Sequence, residues 1–261
     1  MKKSWMDNVV AVTGKVIQVA GPEGVAGLIC WRNSAASLRI IEESVRSNDD
    51  IDLLEALARK HAVNRIETQG SFVTKGLASQ ILIERGFFEI GHSTINFMVD
   101  VATALQRLEN LKQRLDNRAP KIVVPTANHM TQIAHIIDNE LLLDDFELQA
   151  RLAHNGPDTI NISECSVMDD SDGLAGFILI SEVKNLTERE LIVRWVAPRH
   201  RGKAVVNFAL MLEALDRAAA AKVKIAYFTA NPLRHKETLR LATAIQAEFC
   251  GESVALALNL D

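Results

Sequence analysis

The chain has 261 residues, 48% of them apolar and 24% charged, with a formal net charge of -4. Such a chain can bury one large core or two smaller ones, and its acidic balance argues against nucleic acid as the main partner, because phosphate-backbone binding needs a clear basic excess, though a local basic patch is compatible with it. No apolar run reaches the length of about 18 residues expected of a membrane span, MKKSWMDN lacks a signal-peptide pattern, and Cys30, Cys165 and Cys250 lie far apart without metal spacing, which predicts reduced thiols in a cytoplasmic protein with no metal.

Residues 8–19 read as a strand pair or one long strand, and Gly24–Arg32 as another strand. Ser34–Ser47 has helical spacing through Leu38, Ile41 and Val45, and Asp50–His61 continues as a second helix. VNRIETQG is strand-like. Thr74–Arg85 is helical, with Gly86 as its stop, and FFEIGHSTINFMVDV follows as one or two strands. Ala102–Asn117 is a charged helical pattern with Leu105, Leu108, Leu111 and Leu115 on one side, too short for a coiled coil. Its stop before Ala119-Pro120 predicts a connecting helix over 102–118, between a domain at 1–101 and another at 119–261.

In the second half KIVVPT reads as a strand, and Asn128–Asn139 and Asp144–His154 as helices. Three strands follow, TINISECSVMDD, DGLAGFILISEV and ERELIVRWVAP, with Asp172-Gly173 as a turn. A basic turn leads into a helix over Val205–Ala221, then the strand KIAYFTA, a helix from Asn231 through Ala247, and the closing strand VALALNL. Meander strands followed by strand–helix–strand–helix–strand predict an α/β fold, a mixed sheet with helices on both faces. Gly24 to Val101 has the same late order, which predicts an internal duplication.

The run Val196-Ala197-Pro198-Arg199-His200-Arg201-Gly202-Lys203-Ala204-Val205-Val206 carries the functional signal. A strand running into a basic, glycine-containing turn and then a helix is a physical device for holding phosphate. Backbone N–H groups point outward, the helix N-terminus adds partial positive charge, and Arg and Lys add full charge.

These residues, together with SECSVMDDSDGLAGFILIS and the Asn231 that follows KIAYFTA, resemble the GNAT superfamily of N-acetyltransferases over roughly residues 120–261. The resemblance implies tandem acyl-CoA N-acyltransferase-like domains and transfer of an acetyl or other acyl group from coenzyme A to an amine. Arg201, Gly202, Lys203, Ala204 and Val206 would then hold the pyrophosphate. Val196 and Ala197 would hold the pantetheine arm, with Asn231 beside it. Spacing from Pro198 favours this register. The alternative, Arg199-x-x-Gly202-x-Ala204, shifts the turn by two residues. In the favoured register both small positions of the family turn are altered, to Ala204 and Val206, and valine there would crowd a phosphate.

Strand alternation places Glu190, Ile192, Arg194 and Val196 on one face. By resemblance Glu190 is the general base, and Arg194 pairs with it or recognises a substrate carboxylate. Thr238 stands where the family's acid, a tyrosine, is expected, and His235 lies one helical turn earlier as the other candidate acid. WRNSAASLR occupies the turn position of the first half and has no glycine, so that half looks like a degenerate second copy.

The partners implied are a small-molecule or peptide amine acceptor or an acyl carrier protein, with neither nucleic acid nor membrane, and a homodimer is compatible with this. The alternatives are a catalytically inactive binding or regulatory protein on the same fold, and an acyl-thioester decarboxylase or hydrolase. His61, His92, His129, His135 and His154 read as structural or surface groups, Trp195 as core packing, and Asp169–Asp172 as a hairpin turn.

Overall fold

The computed structural model describes residues 16–21, 24–32, 35–40, 44–68, 72–115, 121–137, 160–182, 186–201, 204–233 and 235–260. The expected strand before residue 16 and the expected helix over Asp144–His154 lie outside them. The described residues fall into two compact units, one built from residues up to Ile95 and from Gly251 onward, the other from Asn96 through Cys250.

In the first unit, strands β1 (Val16–Gly21), β2 (Gly24–Arg32) and β3 (Ala35–Ile40) form an antiparallel meander. Helix α1 (Asn48–Lys60) then carries the chain to β4 (Arg65–Thr68), which lies parallel to β3. The start of α1 is fixed locally. The Ser47 hydroxyl accepts from the Asp50 N–H while the Asp50 carboxylate accepts from the Ser47 N–H, a reciprocal cap that satisfies two orphan donors. Ile51, Leu54 and Ala58 recur at helical spacing and pack with Leu38, Ile40 and Ile66 in the unit's core. After β5 (Phe72–Val73) and α2 (Leu77–Glu84), β6 (Phe88–Asp100) begins. The last strand of the chain, β12 (Glu248–Asn259), completes this unit by pairing with β4 and β5 from its Gly251 end onward.

The helix expected over Ser34–Ser47 is not formed, because Ala35–Ile40 is β3. Leu38, Ile41 and Val45 match a helical stripe by coincidence. Leu38 and Ile40 are fully buried at period two, and the strand is hydrogen-bonded on both sides, to β2 and β4. WRNSAASLR therefore contains the end of β2, at Arg32, and the start of its antiparallel neighbour β3, at Ala35. It does not stand at a strand-to-helix turn, so it is no remnant of a phosphate loop.

The second unit begins with the end of β6 and α3 (Val101–Leu115), which buries Val101, Ala104 and Leu108. Strand β7 (Ile122–Val123) and helix α4 (Ala127–Ile136) come next. His129 caps α4 through Thr126 and bonds Asp169 through Nε2 at 2.8 Å, a structural role as expected. Strands β8 (Ser166–Asp170), β9 (Gly173–Glu182) and β10 (Glu188–Val196) form an antiparallel meander. The expected hairpin at Asp172-Gly173 is present, with Gly173 at φ 102°, a conformation glycine adopts without cost. Helix α5 (Ala204–Ala220), strand β11 (Ile225–Ala230) and helix α6 (Lys236–Ala244) follow, with β11 parallel to β10. On the other side β11 is flanked by β6, where the Phe97 and Phe228 rings stack with centroids 5.2 Å apart. Helix α3 packs against α5.

Both halves of the sequence therefore carry the late order read from it, β3–α1–β4–α2–β6 in the first and β10–α5–β11–α6–β12 in the second. Trp195 is core, as expected, and stacks on Phe177.

Helix α5 comes close to β9 and β10 at Gly176. A Cβ added there would lie 2.8 Å from Leu210 Cδ1 and 3.1 Å from the Trp195 carbonyl oxygen. The backbone oxygen cannot move aside as a side chain can. Gly176→Ala is expected to cost about 1–3 kcal/mol by overpacking, read as a lower denaturant midpoint at unchanged slope. An unchanged midpoint would show that α5 can slide.

Candidate functional site

Strand β10 is held by β9 along its whole length, from Arg189 to Val196, but its parallel pairing with β11 covers Glu188–Leu191 alone. Beyond Leu191 the two strands separate. The cause is visible in the register with β9, which passes from Leu191↔Ile180 to Val193↔Leu179 and leaves Ile192 as an extra residue. Such a β-bulge bends its strand and increases the local twist. Ile192–Val196 thus presents a strand edge with no partner strand among the described residues, at the point where the chain leads into α5.

The bulge also corrects the predicted alternation. Glu190 pairs with Ser181 and Arg194 with Ile178, and residues 181 and 178 of β9 point to opposite faces. Ile180 and Leu191 face α5, where they line a small apolar cavity with Met211, Ala214, Leu215 and Phe228. Arg194 shares that face. Glu190 lies on the other face, flanked by Ser181 and Tyr227 on its two neighbouring strands. Glu190 and Arg194 therefore do not form the pair the sequence allowed.

Arg194 instead spans two helices. One guanidinium nitrogen, Nη2, donates to Thr238 Oγ1 on α6 at 2.6 Å, and Nη1 donates to Asn207 Oδ1 on α5. Asn207 in turn donates to the Glu237 carboxylate. Burial pulls the Arg194 guanidinium below its usual value and Glu237 opposes this, but an arginine stays charged throughout the working range. The result is a half-buried cation whose direct partners are neutral. Sequence reasoning singled out Arg194 and Thr238 but not their contact, and it missed Asn207 and Glu237 altogether.

The basic turn is anchored from one side. Ala197 leads into a 3-10 turn at Pro198–His200. There Arg199 makes two hydrogen bonds to Asp170, at 2.8 and 3.0 Å, and His200 Nε2 bonds the same carboxylate. Arg199 is thus committed to the β8–β9 hairpin, while Arg201 is exposed, with Nε 3.4 Å from the Val196 carbonyl oxygen. Gly202 and Lys203 lie outside the described residues. Ala204 opens α5, and Val206 is in its first turn with 7% of its surface exposed. Both altered positions are helical, so neither needs a positive φ. The Val206 side chain serves the core rather than the turn.

Asn231 makes a local turn, its Oδ1 accepting from the Leu233 N–H at 2.9 Å while its own N–H donates to His235 Nδ1 at 3.2 Å. That turn occupies the residues expected to begin the helix, which starts at Lys236 and ends at Ala244. His235 is exposed at the N-cap of α6, and Thr238 is buried.

The sequence places Asp170 in a hairpin turn, and the structure shows that it also holds the start of the basic loop. Hydrogen bonds from Arg199 and then His200 keep its carboxyl well below the ordinary value of 3.8. A depressed folded-state pKa means stability that is full above the unfolded value and lost as pH falls toward the folded one. The stability difference between wild type and Asp170→Asn should therefore be greatest near neutrality and shrink once the pH drops below about 4. Urea midpoints from about pH 6 down to pH 2 measure it. A difference independent of pH would mean that the carboxylate charge is not what holds the turn.

Among the described residues no helix is long and apolar enough to cross a membrane. No protein-family model and no curated protein matches the sequence. Solved structures do match. A tandem GNAT protein from the clavulanic acid biosynthesis pathway aligns over 98% of this chain and 87% of its own, with a TM-score of 0.61 at 13% identity. A GCN5-related N-acetyltransferase from Sphaerobacter thermophilus aligns over 94% and 80%, with a TM-score of 0.57 at 12% identity. A GCN5-related glucosamine N-acetyltransferase region of a fungal multi-domain GH3 β-N-acetylglucosaminidase aligns over 98% of this chain and 34% of its own, with a TM-score of 0.64 at 9% identity. The chain has the GCN5-related N-acetyltransferase fold, a mixed α/β architecture.

Proposed function

We propose that the second unit binds an acyl-coenzyme A and transfers its acyl group, acetyl by default, to an amine. The observation that carries this reading is the separation of β10 from β11 beyond Leu191. It frees a strand edge that an extended amide-bearing arm can pair with as an added strand, and the edge ends at the N-terminus of α5, where an anion is favoured. The residues present fit such a ligand. Val196 and Ala197 would carry the arm. Arg201 and the start of α5 at Ala204, with Gly202 and Lys203 between them, would face the pyrophosphate, with Asn231 beside the arm. The buried Val206 leaves the approach clear, and Arg199, tied to Asp170, favours the register that begins at Arg201. A thioester bound there supplies an activated acyl carbon. The protein's part is to orient it, to take the amine's proton, for which Glu190 is the candidate, and to stabilise the departing sulfur. The acceptor is proposed to be a small-molecule or peptide amine.

Acetyl-coenzyme A tests this directly. At a hundredfold excess over Kd it should stabilise by about 2.7 kcal/mol, roughly 5–10 °C in Tm. No shift at millimolar ligand overturns the reading. A shift without turnover on any amine would favour an inactive binding protein on the same fold.

A further inference from the structure

We propose that Arg194 is the group that receives the leaving thiolate, in place of a protonating side chain. The inference rests on the acyl-transfer reading of the same site and adds a role to it. When an amine attacks a thioester, a C–N bond forms and the C–S bond breaks. The electron pair of that bond leaves on sulfur, while the amine's proton leaves to a base. The departing sulfur must be protonated or paired with a positive charge.

The described residues of the splayed region offer no acid suited to the first course. Helix α6 presents Thr238, whose hydroxyl already accepts from Arg194. His235 is exposed at the end of α6, with Nδ1 engaged by the Asn231 N–H. Tyr227, the chain's single tyrosine, pairs with Glu190 on the register of β11, on the face away from Arg194. Its hydroxyl is raised above its usual value by burial and by the negative charge of Glu188.

The second course is built in. Arg194 stands on the free-edged segment of β10, and its guanidinium is clamped between α5 and α6 by Asn207 and Thr238. Two neutral groups orient the cation without cancelling it. The charged group that acts on it, Glu237, is held one residue further off by Asn207. From β9, Arg194 meets Ile178, which is apolar. A fixed, partly desolvated cation with neutral direct partners favours an anion placed beside it far more than a solvated arginine does. A thiol next to such a charge ionises more readily.

Titration of coenzyme A itself, bound to the intact protein, tests this through the ultraviolet absorbance of its thiolate. In wild type the bound thiol should ionise about 1–3 pH units lower than in Arg194→Gln, and Arg194→Lys should keep part of that effect. Thr238→Val, which retains the charge but removes its anchor, should lie between wild type and Arg194→Gln. S-methyl-coenzyme A, which has no ionisable sulfur, separates the two proposals. If it stabilises wild type and Arg194→Gln equally while the thiol titrates alike in both, the role of Arg194 is overturned and the binding site stands. If neither coenzyme A nor its S-methyl form stabilises wild type, the acyl-transfer reading itself falls. Should Arg194→Gln not fold, wild type alone decides. Its affinity for coenzyme A relative to the S-methyl form must rise with pH, and a constant ratio overturns the proposal.

Discussion

Glu164→Ala is expected to destabilise the protein by about 3–5 kcal/mol, the cost of leaving one member of a buried ion pair alone. Glu164 and Arg189 are 3% and 4% exposed. They meet through two parallel hydrogen bonds, Nε to Oε2 at 2.7 Å and Nη2 to Oε1 at 2.8 Å. The remaining valences are used as well. Arg189 Nη1 donates to the Leu186 and Glu188 carbonyl oxygens, and Asn161 donates to Glu164 Oε1 at 2.8 Å. Removing the carboxylate strands a guanidinium in an apolar setting beside Leu191 and Met211. Desolvating both charges makes the intact pair itself worth little, so Glu164→Leu with Arg189→Met should recover most of the loss. Recovery will be incomplete, because two carbonyls lose their donor. Chemical denaturation of the two single variants and the double variant measures this. If either single variant costs under about 1 kcal/mol, water reaches the pair and the burial argument fails.

The parts of this molecule that sequence reasoning reached are those fixed by local chemistry. Helix α5 was expected over Val205–Ala221 and runs over Ala204–Ala220. Strand β2 has the bounds read for it, and the Asp172-Gly173 turn forms the hairpin its residues favour. In each case period and turn chemistry lie within a dozen neighbouring residues. What was missed depends on partners distant in sequence. Ala35–Ile40 became a strand because β2 and β4 pair with it on both sides, which outweighs a helical stripe of three residues. The bulge at Ile192 is a mismatch between two strands, and the letters of β10 do not contain it. It reverses the faces of Glu190 and Arg194, so strand alternation could not place the candidate site. The Arg194–Thr238 bond joins residues 44 apart. The last strand completes the first unit by pairing Asn259 with Arg65, a contact across most of the chain. Asp170 was legible as an acid in a turn. Its hold on Arg199 and His200 needed the hairpin brought against the basic loop.

Replacing Glu190 by glutamine should lower turnover by about 10²–10⁴-fold, the usual contribution of a positioned general base, while leaving stabilisation by acetyl-coenzyme A intact. The expectation rests on the acyl-transfer reading and on where Glu190 stands. Its strand neighbours are Ser181 and Tyr227, on the face away from α5 and from Arg194. Base and cation on opposite faces of one splayed strand suit a reaction with two proton and charge transfers. The amine would approach from the face of Glu190, and the sulfur would leave toward the face of Arg194. The two changes would then not compete for one pocket. Glu188 provides the control. It lies two residues earlier on the same face, and its Oε2 is buried without a hydrogen-bond partner. It sits deeper in the closed part of the β10–β11 pair, opposite Ile225, and so further from the opening. Glu188→Gln should therefore change stability more than turnover. A turnover loss confined to Glu188→Gln would move the base to that residue. Loss of both turnover and ligand stabilisation in Glu190→Gln would mean that Glu190 supports the strand and takes no proton. A pH–rate profile completes the argument: removing the true base abolishes its acidic limb, whereas a structural loss lowers the whole curve without changing its shape.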